Sequence, residues 1–134
     1  LGASLLTSNS DYKEKLMYGF HGEYGLGHGV SLLAEAGISS NKYPKNSISN
    51  ADSMYMHFQG TIRPMRGLYL YHVFEYFDSD DSSNDYLMRA GPGVQWFINQ
   101  GIELRFDLVN SRTFSDLNES VDEWQILSQV HLWL

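Results

Sequence analysis

The sequence predicts an all-β fold, an antiparallel up-and-down β-barrel of about eight strands. Three observations in the 134-residue chain predict it. Apolar and polar residues alternate along seven segments, which places successive side chains on opposite faces of a strand. Short glycine-containing turns alternate with longer polar loops between the segments. The apolar stretch Leu68–Phe77 is interrupted by His72 and Glu75, so no helix long enough to span a membrane is expected.

The alternating segments are the predicted strands. They are Leu16–Leu26, Val30–Ile38, Met54–Arg63, Leu68–Phe77, Tyr86–Ile98, Ile102–Leu108 and Trp124–Leu134. His72 falls on the more apolar face of its segment. We therefore expect either a β-bulge that returns His72 to the polar face or a contact between protomers at this position.

The connections follow a regular rhythm. The short turns are Gly27–Gly29, Met65–Gly67 and Asn99–Gly101, and the long loops are Ser39–Ser53, Asp78–Asp85 and Thr113–Asp122. A single-chain barrel with both ends on one side needs an even number of strands, so Leu1–Asn9 is predicted to be an eighth strand. Its outward residues would be Ala3, Leu5 and Thr7. The chain is then one β-barrel domain over residues 1–134, or the C-terminal part of a larger barrel.

Strand length and charge distribution favour lipid around the predicted barrel. Strands of about 10–13 residues suit a tilted, bilayer-spanning β-strand, and aromatic residues near strand ends suit the membrane interface. The charged residues concentrate on the polar face, which predicts a transmembrane β-barrel with a charged lumen. The predicted lumen charges are Glu23, Glu35, Arg63, Glu75, Arg89, Glu103, Arg105 and Asp107. They either neutralise one another in a filled interior or line a wider pore with mild cation preference.

The last strand carries a family resemblance. Trp124, Ile126, Val130, Leu132 and Leu134 alternate with polar residues to the C-terminus. This run resembles the terminal strand that Gram-negative outer-membrane β-barrels present to the barrel-assembly machinery. Residues 75–108 resemble the C-terminal strands of porin-like proteins, including phosphate-selective-type porins and porins of predatory bacteria.

The resemblance implies a location and a function. A porin-like barrel would lie in the bacterial outer membrane, contact membrane lipid and lipopolysaccharide, and allow passive diffusion or serve a structural role. Outward small residues could allow packing into a homo-oligomer. These small residues are Gly22, Ala34, Ala36, Gly60 and Ala90.

Composition and spacing bear on the other functional classes. The chain has no cysteine and a net charge of −7 without a basic cluster, so we expect no disulfide, thiol nucleophile or nucleic-acid partner. No cofactor and no metal site are expected. Residues 78–85 lack the glycine and the closing glutamate of a calcium loop and are predicted to be a solvated loop, although calcium bridging to lipopolysaccharide phosphates stays open.

Two alternatives to a passive barrel stay open. A lipid A-modifying outer-membrane enzyme would need a nucleophile beside a histidine, yet Ser128 and His131 are predicted to lie on opposite faces of one strand. His21 and Glu23 share a face and could form an acid–base pair. A soluble lipocalin-like binder would have the same strand number and order. We predict that the chain is not an enzyme.

Overall fold

A computed structural model describes residues 1–9, 14–42, 51–79, 83, 85–115 and 120–133. These residues form eight strands: β1 (Gly2–Asn9), β2 (Glu14–Gly27), β3 (Val30–Lys42), β4 (Ala51–Met65), β5 (Leu68–Asp78), β6 (Tyr86–Asn99), β7 (Ile102–Phe114) and β8 (Ser120–Leu132). All eight belong to one antiparallel sheet whose strand order follows the chain from β1 to β8. The prediction of an all-β, up-and-down fold of eight strands is therefore confirmed.

The N-terminal segment forms the predicted extra strand. In β1, Leu5 pairs with Tyr18 of β2, and the residues on either side of Leu5 continue the same register. The face of β1 that carries Leu5 therefore continues the apolar face of β2, as the alternation predicts.

Several strands extend beyond their apolar patterns. β4 begins at Ala51, β7 continues to Phe114 and β8 begins at Ser120, so the ends of two predicted loops are strand. Backbone pairing causes this extension, because it does not require apolar side chains. In the extended part of β7 and β8, Arg112 and Asp122 are register partners and form an ion pair of 2.6 Å.

The prediction of a closed barrel is not met. Among the described residues, β1 pairs only with β2, β8 pairs only with β7, and no Cα atom of β1 lies within 8 Å of one in β8. Alternation specifies the two faces of each strand and the short turns specify antiparallel order, but neither specifies how strongly the sheet curves. The observed curvature leaves both edge strands without an outer neighbour.

The sheet nevertheless curls in a defined direction. Every buried residue in the described part of the chain lies on the polar face: Gly19, Gly37, Ser39, Tyr71, Gly93 and Glu103. Large apolar side chains on the other face, such as Phe20 and Ile126, stay exposed. Because no second layer covers the described sheet, this difference shows that the polar face is concave and the apolar face convex.

The register also builds a steady stagger into the sheet. One row of register partners crosses all eight strands: Gly2, His21, Glu35, His57, Glu75, Arg89, Ser111 and Glu123. The row starts at the beginning of β1 but reaches β8 at Glu123, nine residues before Leu132, where β8 ends. At about 3.3 Å per residue and about 4.8 Å between strands, this stagger corresponds to a strand tilt of about 40°. Closed barrels tilt their strands by a similar angle.

The short turns connect neighbouring hairpins. The carbonyl of Gly29 accepts a hydrogen bond from the backbone N–H of Arg63 at 2.7 Å, and the carbonyl of Gly67 accepts one from Phe97 at the same distance. The third turn repeats this arrangement, with Gly101 accepting from Trp133 at 3.0 Å. The three shifts in the described register lie beside these turns. The pairing of β6 with β7 skips Gly91 and Pro92 and resumes in the same register at Gly93, so the register stays constant through the middle of each strand.

This regularity decides the orientation of His72. In the middle of β5, His72 pairs with Gly60 on one side and Pro92 on the other, with no shift of register nearby. The bulge considered from the sequence is therefore absent, and His72 stays on the convex face, where it is exposed.

Tyrosine rings lie flat against glycines on the concave face. A Cβ atom added to Gly93 would overlap the ring of Tyr71, and one added to Gly37 would overlap the ring of Tyr55. Each tyrosine is the register partner of the glycine that it covers. The glycines are therefore required by close packing, and the rings cover the wall instead of filling the space in front of it.

We predict that Gly93→Ala destabilises the fold by about 1–3 kcal/mol, because the added methyl group must displace the Tyr71 ring or the backbone beneath it. Gly60→Ala is the matched control, since its Cβ would meet only Leu32 Cδ2 at 3.7 Å. Urea unfolding followed by tryptophan fluorescence measures both variants. Equal stability of the two variants would show that the glycine at position 93 is not needed for packing.

Candidate functional site

The charged residues predicted to face a lumen are brought to the concave face by strand register. Glu35, Glu75 and Arg89 lie in one row, with His57 between the two glutamates. Three more, Glu103, Arg105 and Asp107, occupy alternate positions of β7, and Glu23 lies on β2 opposite Leu33. Arg63 lies beside the register irregularity that ends β4.

The first charged cluster links three strands around Glu75. One carboxylate oxygen of Glu75 lies 3.3 Å from Nδ1 of His57, and the other lies 3.3 Å from Nη1 of Arg89. The three residues come from β4, β5 and β6, and their side chains are partly exposed. The carboxylate is therefore held between a cation and a titratable ring while remaining accessible to solvent.

The second cluster surrounds Glu103, which is only 5% exposed. Gln95 donates a hydrogen bond from Nε2 to one oxygen of Glu103 at 2.7 Å, and Nδ1 of His131 lies 3.4 Å from the other. A buried carboxylate is costly unless it is hydrogen-bonded. Neighbouring strands supply both partners in this case, since Gln95 belongs to β6 and His131 to β8.

The third cluster connects Tyr71, Arg105 and Asp107. The Tyr71 ring crosses over Gly93, and its hydroxyl donates to Oδ1 of Asp107 at 2.5 Å. Arg105 donates from Nε to Oδ2 at 2.9 Å and from Nη2 to Oδ1 at 3.3 Å, and its guanidinium lies 5.4 Å from the centre of the Tyr71 ring. A bidentate arginine–carboxylate pair is among the stronger polar contacts in proteins.

The first and third clusters line a common depression in the concave wall. Its volume is about 210 Å³, and it lies between Glu75 and Arg89 on one side and Arg105 and Asp107 on the other. Two cations and two carboxylates therefore face the same space. A polar solute at this wall would meet hydrogen-bond donors and acceptors without a strong excess of either charge.

Three of the predicted lumen charges remain outside these clusters. Within the described residues, Glu23, Glu35 and Arg63 form no ion pair. Glu23 is exposed and Glu35 is half-buried, so both carboxylates face the open space in front of the sheet.

The predicted C-terminal assembly signal lies on the convex face at the free edge. Trp124 is 65% exposed and Ile126 is 79% exposed, and Val130 and Leu132 continue the same face. Leu134 lies outside the described residues. β8 therefore presents an apolar face and an unpaired backbone edge together.

Several aromatic rings cluster on the convex face at the end of the sheet where the long loops connect the strands. The rings of Tyr86 and Phe114 stack with centroids 4.4 Å apart, and the ring of Tyr76 lies 5.6 Å from that of Tyr86. Beside them, Arg112 and Asp122 form a bidentate pair with both distances at 2.6 Å. These are the charged side chains that interrupt the apolar character of this face at β7 and β8.

Ser128 and His131, the serine and histidine considered for an enzyme, do not come together in the structure. Ser128 pairs with Phe106 on the convex face and His131 with Glu103 on the concave face, so the two point away from each other as predicted. Most of residues 80–84 lie outside the described part of the chain. Within the described residues, no group of three metal-binding side chains occurs, and no helix could cross a membrane.

No protein family, curated protein or solved structure matches this chain.

Sequence reasoning missed the partners that hold the clusters together. Tyr71 and Gln95 were assigned to strand faces but given no role, and the ion pair between Arg112 and Asp122 was not predicted. The missing information was the register between strands. Once β5, β6 and β7 are aligned, Tyr71, Gly93 and Asp107 fall in one row. Because Gly93 has no side chain, the Tyr71 ring can cross it and reach Asp107.

We predict that Tyr71→Phe lowers the free energy of unfolding by about 1–3 kcal/mol, because Asp107 loses a hydrogen bond donated to a charged acceptor. Tyr69→Phe is the control, since the Tyr69 ring contacts Phe97 but its hydroxyl forms no hydrogen bond within the described residues. Urea unfolding of both variants provides the comparison. Equal losses in the free energy of unfolding of the two variants would show that the hydrogen bond to Asp107 contributes no stability.

Proposed function

We propose that this chain forms the wall of a porin-like β-barrel in a bacterial outer membrane, through which small polar solutes diffuse passively. The observation that carries the proposal is the sidedness of the sheet. Apolar side chains cover the convex face, whereas the concave face holds the charged clusters. A transmembrane barrel needs this arrangement, with lipid outside and water inside.

Water is a poor environment for the convex face. Soluble proteins rarely expose contiguous apolar patches larger than a few hundred Å². In this sheet, the large apolar side chains of Phe20, Leu32 and Phe58, on the consecutive strands β2, β3 and β4, are about half exposed or more. A soluble lipocalin-like barrel would place these side chains inside, so the direction of curvature favours lipid as the surrounding medium.

The height of the apolar band fits an outer membrane. On the convex face of β6, Tyr86 and Trp96 are ten residues apart, and the outward positions between them carry no charge. Ten residues at about 3.3 Å each, tilted by about 40°, span about 25 Å along the barrel axis. This value equals the height of the apolar band in outer-membrane barrels, and aromatic residues are typical of its two borders.

The concave face supplies a polar path. Among the predicted lumen charges, five are acidic and three are arginines, and Glu23 and Glu35 lack a cationic partner among the described residues. An unpaired carboxylate in a water-filled lumen attracts cations. We therefore infer mild cation preference without a specific substrate.

The exposed strand β8 is the part of the chain that we expect the barrel-assembly machinery to bind. Its convex face carries the residues that resemble the outer-membrane terminal strand, and its edge is free to pair. The barrel-assembly machinery, and lipopolysaccharide around the finished barrel, are the partners that the proposal implies.

Planar-bilayer recordings of the purified chain under a KCl gradient test the proposal. We predict channel steps and a reversal potential of the sign expected for a cation-preferring pore. In Glu23→Gln/Glu35→Gln the cation preference decreases, because two unpaired lumen charges are lost. The control Glu14→Gln removes one charge from the opposite parity of β2 and leaves selectivity close to that of the unsubstituted chain. Absence of channel steps at every protein concentration would refute the porin proposal.

A further inference from the structure

We propose that the depression in the concave wall binds one small zwitterionic solute, an α-amino acid with an uncharged side chain. The carboxylate of the solute contacts Arg89, and its ammonium group contacts Glu75. This inference rests on the proposed function, because the concave face must meet water for a solute to reach it. It deepens that function by assigning a class of solute to one place on the wall.

Of the two ion pairs that border the depression, the one between Glu75 and Arg89 is the more accessible. The side chains of Glu75 and Arg89 are 39% and 37% exposed, whereas that of Asp107 is only 12% exposed. Asp107 also accepts a hydrogen bond from Tyr71 and, through both of its oxygens, hydrogen bonds from Arg105. Its carboxylate is therefore occupied by the wall itself, and a solute reaches Glu75 and Arg89 more easily.

The accessible pair retains hydrogen-bonding capacity. Nη1 of Arg89 lies 3.3 Å from one oxygen of Glu75, which is longer than the roughly 2.8 Å of a tight charge-assisted hydrogen bond. A guanidinium carries several N–H donors, and a carboxylate has about four acceptor sites. The contacts of Glu75 with Arg89 and His57 take up only part of that capacity. A solute can therefore bind both side chains without breaking the pair.

The spacing of the two charges selects the class of solute. In an α-amino acid, the ammonium nitrogen and the carboxylate carbon are joined through one carbon atom and lie about 2.5 Å apart. The nearest charged atoms of Glu75 and Arg89 are separated by a similar distance, 3.3 Å. A zwitterion placed alongside the pair in the opposite direction therefore brings each of its charges next to an opposite one. A simple anion or cation would gain one attraction and meet one repulsion at the same pair.

An apolar floor beside the pair accommodates the side chain of the solute. Val73 and Val109 line the depression together with Gly91, which is the register partner of Val73. A Cβ atom added to Gly91 would overlap the carbonyl oxygen of Leu108, so glycine is required and no side chain fills the centre of the floor. The volume of about 210 Å³ is below the range of about 300–1,000 Å³ that is typical of pockets for drug-sized ligands. The space therefore suits a single amino acid.

The opposite side of the depression favours an uncharged side chain on the solute. Arg105 and Asp107 neutralise each other there through an ion pair of 2.9 Å. Leu127 and Gln129 of β8 complete that side with one apolar and one uncharged polar side chain. A third charge on the solute would therefore find no unpaired opposite charge at this side.

Three related probes test the site. L-valine carries both charges, isovalerate lacks the ammonium group, and isobutylamine lacks the carboxylate. Each probe is titrated at neutral pH into the full chain folded in detergent micelles, and the amide chemical shift of Gly91 gives the dissociation constant. We expect L-valine to bind about fivefold more tightly than either single-charge probe, because a partly exposed ion pair contributes modestly to binding. Equal affinities for the three probes, or no shift with L-valine, would overturn the proposal.

Two variants test the named residues. Arg89→Gln and Glu75→Gln each remove one charge that contacts the solute, so each weakens the binding of L-valine about fivefold. The matched control is Arg112→Gln, which opens the ion pair with Asp122 between neighbouring strands on the convex face and leaves the affinity unchanged. If Arg89→Gln binds L-valine as tightly as the control does, the assignment is wrong. The comparison of the three probes needs only the unsubstituted chain, so it decides the proposal even where a variant does not fold.

Planar-bilayer recordings of the unsubstituted chain separate this inference from the proposed function. Channel steps from a chain that does not prefer L-valine over the single-charge probes refute the binding site and leave passive diffusion standing. Preferential binding of L-valine by a chain that forms no channel refutes the porin proposal and confirms the site itself. A chain that neither conducts nor prefers L-valine refutes both.

Discussion

The antiparallel backbone ladders between neighbouring strands determine the rest of this structure, because a shift of one residue in any ladder would exchange the two faces of a strand. The three irregularities in the described register lie beside short turns, which leaves the central rows in phase from β1 to β8. That phase places the carboxylates of Glu75 and Asp107 on one face and the side chains of Phe74 and Phe106 on the other. Sidedness, curvature and the charged clusters all depend on it.

The concave wall combines close packing with charge neutralisation. Tyr71 covers Gly93 and reaches Asp107, so one side chain links three strands while lying close to the wall. Arg105 then neutralises the same carboxylate. Because these groups pair along the surface, the wall keeps its charges without projecting them far into the space that the sheet encloses. This geometry is compatible with a lumen that solutes can enter.

Much of the fold could be predicted from the sequence because alternation at period two is a direct consequence of strand geometry. It predicted the outward orientation of Leu5 and the shared face of Glu103 and Asp107, and the register confirms both. It could not predict closure, because curvature depends on interactions among many strands. The contact between Tyr71 and Asp107 was also out of reach, since it requires the register across β5, β6 and β7.

The polar ends of the strands show a second limit of sequence reasoning. The sequence places Arg112 between the predicted strand Ile102–Leu108 and the predicted loop Thr113–Asp122, and it places Asp122 at the end of that loop. In the structure they are ladder partners on the convex face, next to Phe114. Apolar alternation therefore identified the apolar part of each strand, whereas backbone pairing continued into the polar residues beyond it.

The central claim is that lipid covers the convex face and water the concave face. Nitroxide labels placed one at a time along β6, from Tyr86 to Trp96, in chains folded into bilayers test this claim most directly. Collision with oxygen reports lipid, and collision with a water-soluble nickel chelate reports water. The account predicts oxygen maxima at Met88 and Val94 and nickel maxima at Arg89 and Gln95. Equal nickel accessibility at both sets of positions would contradict it.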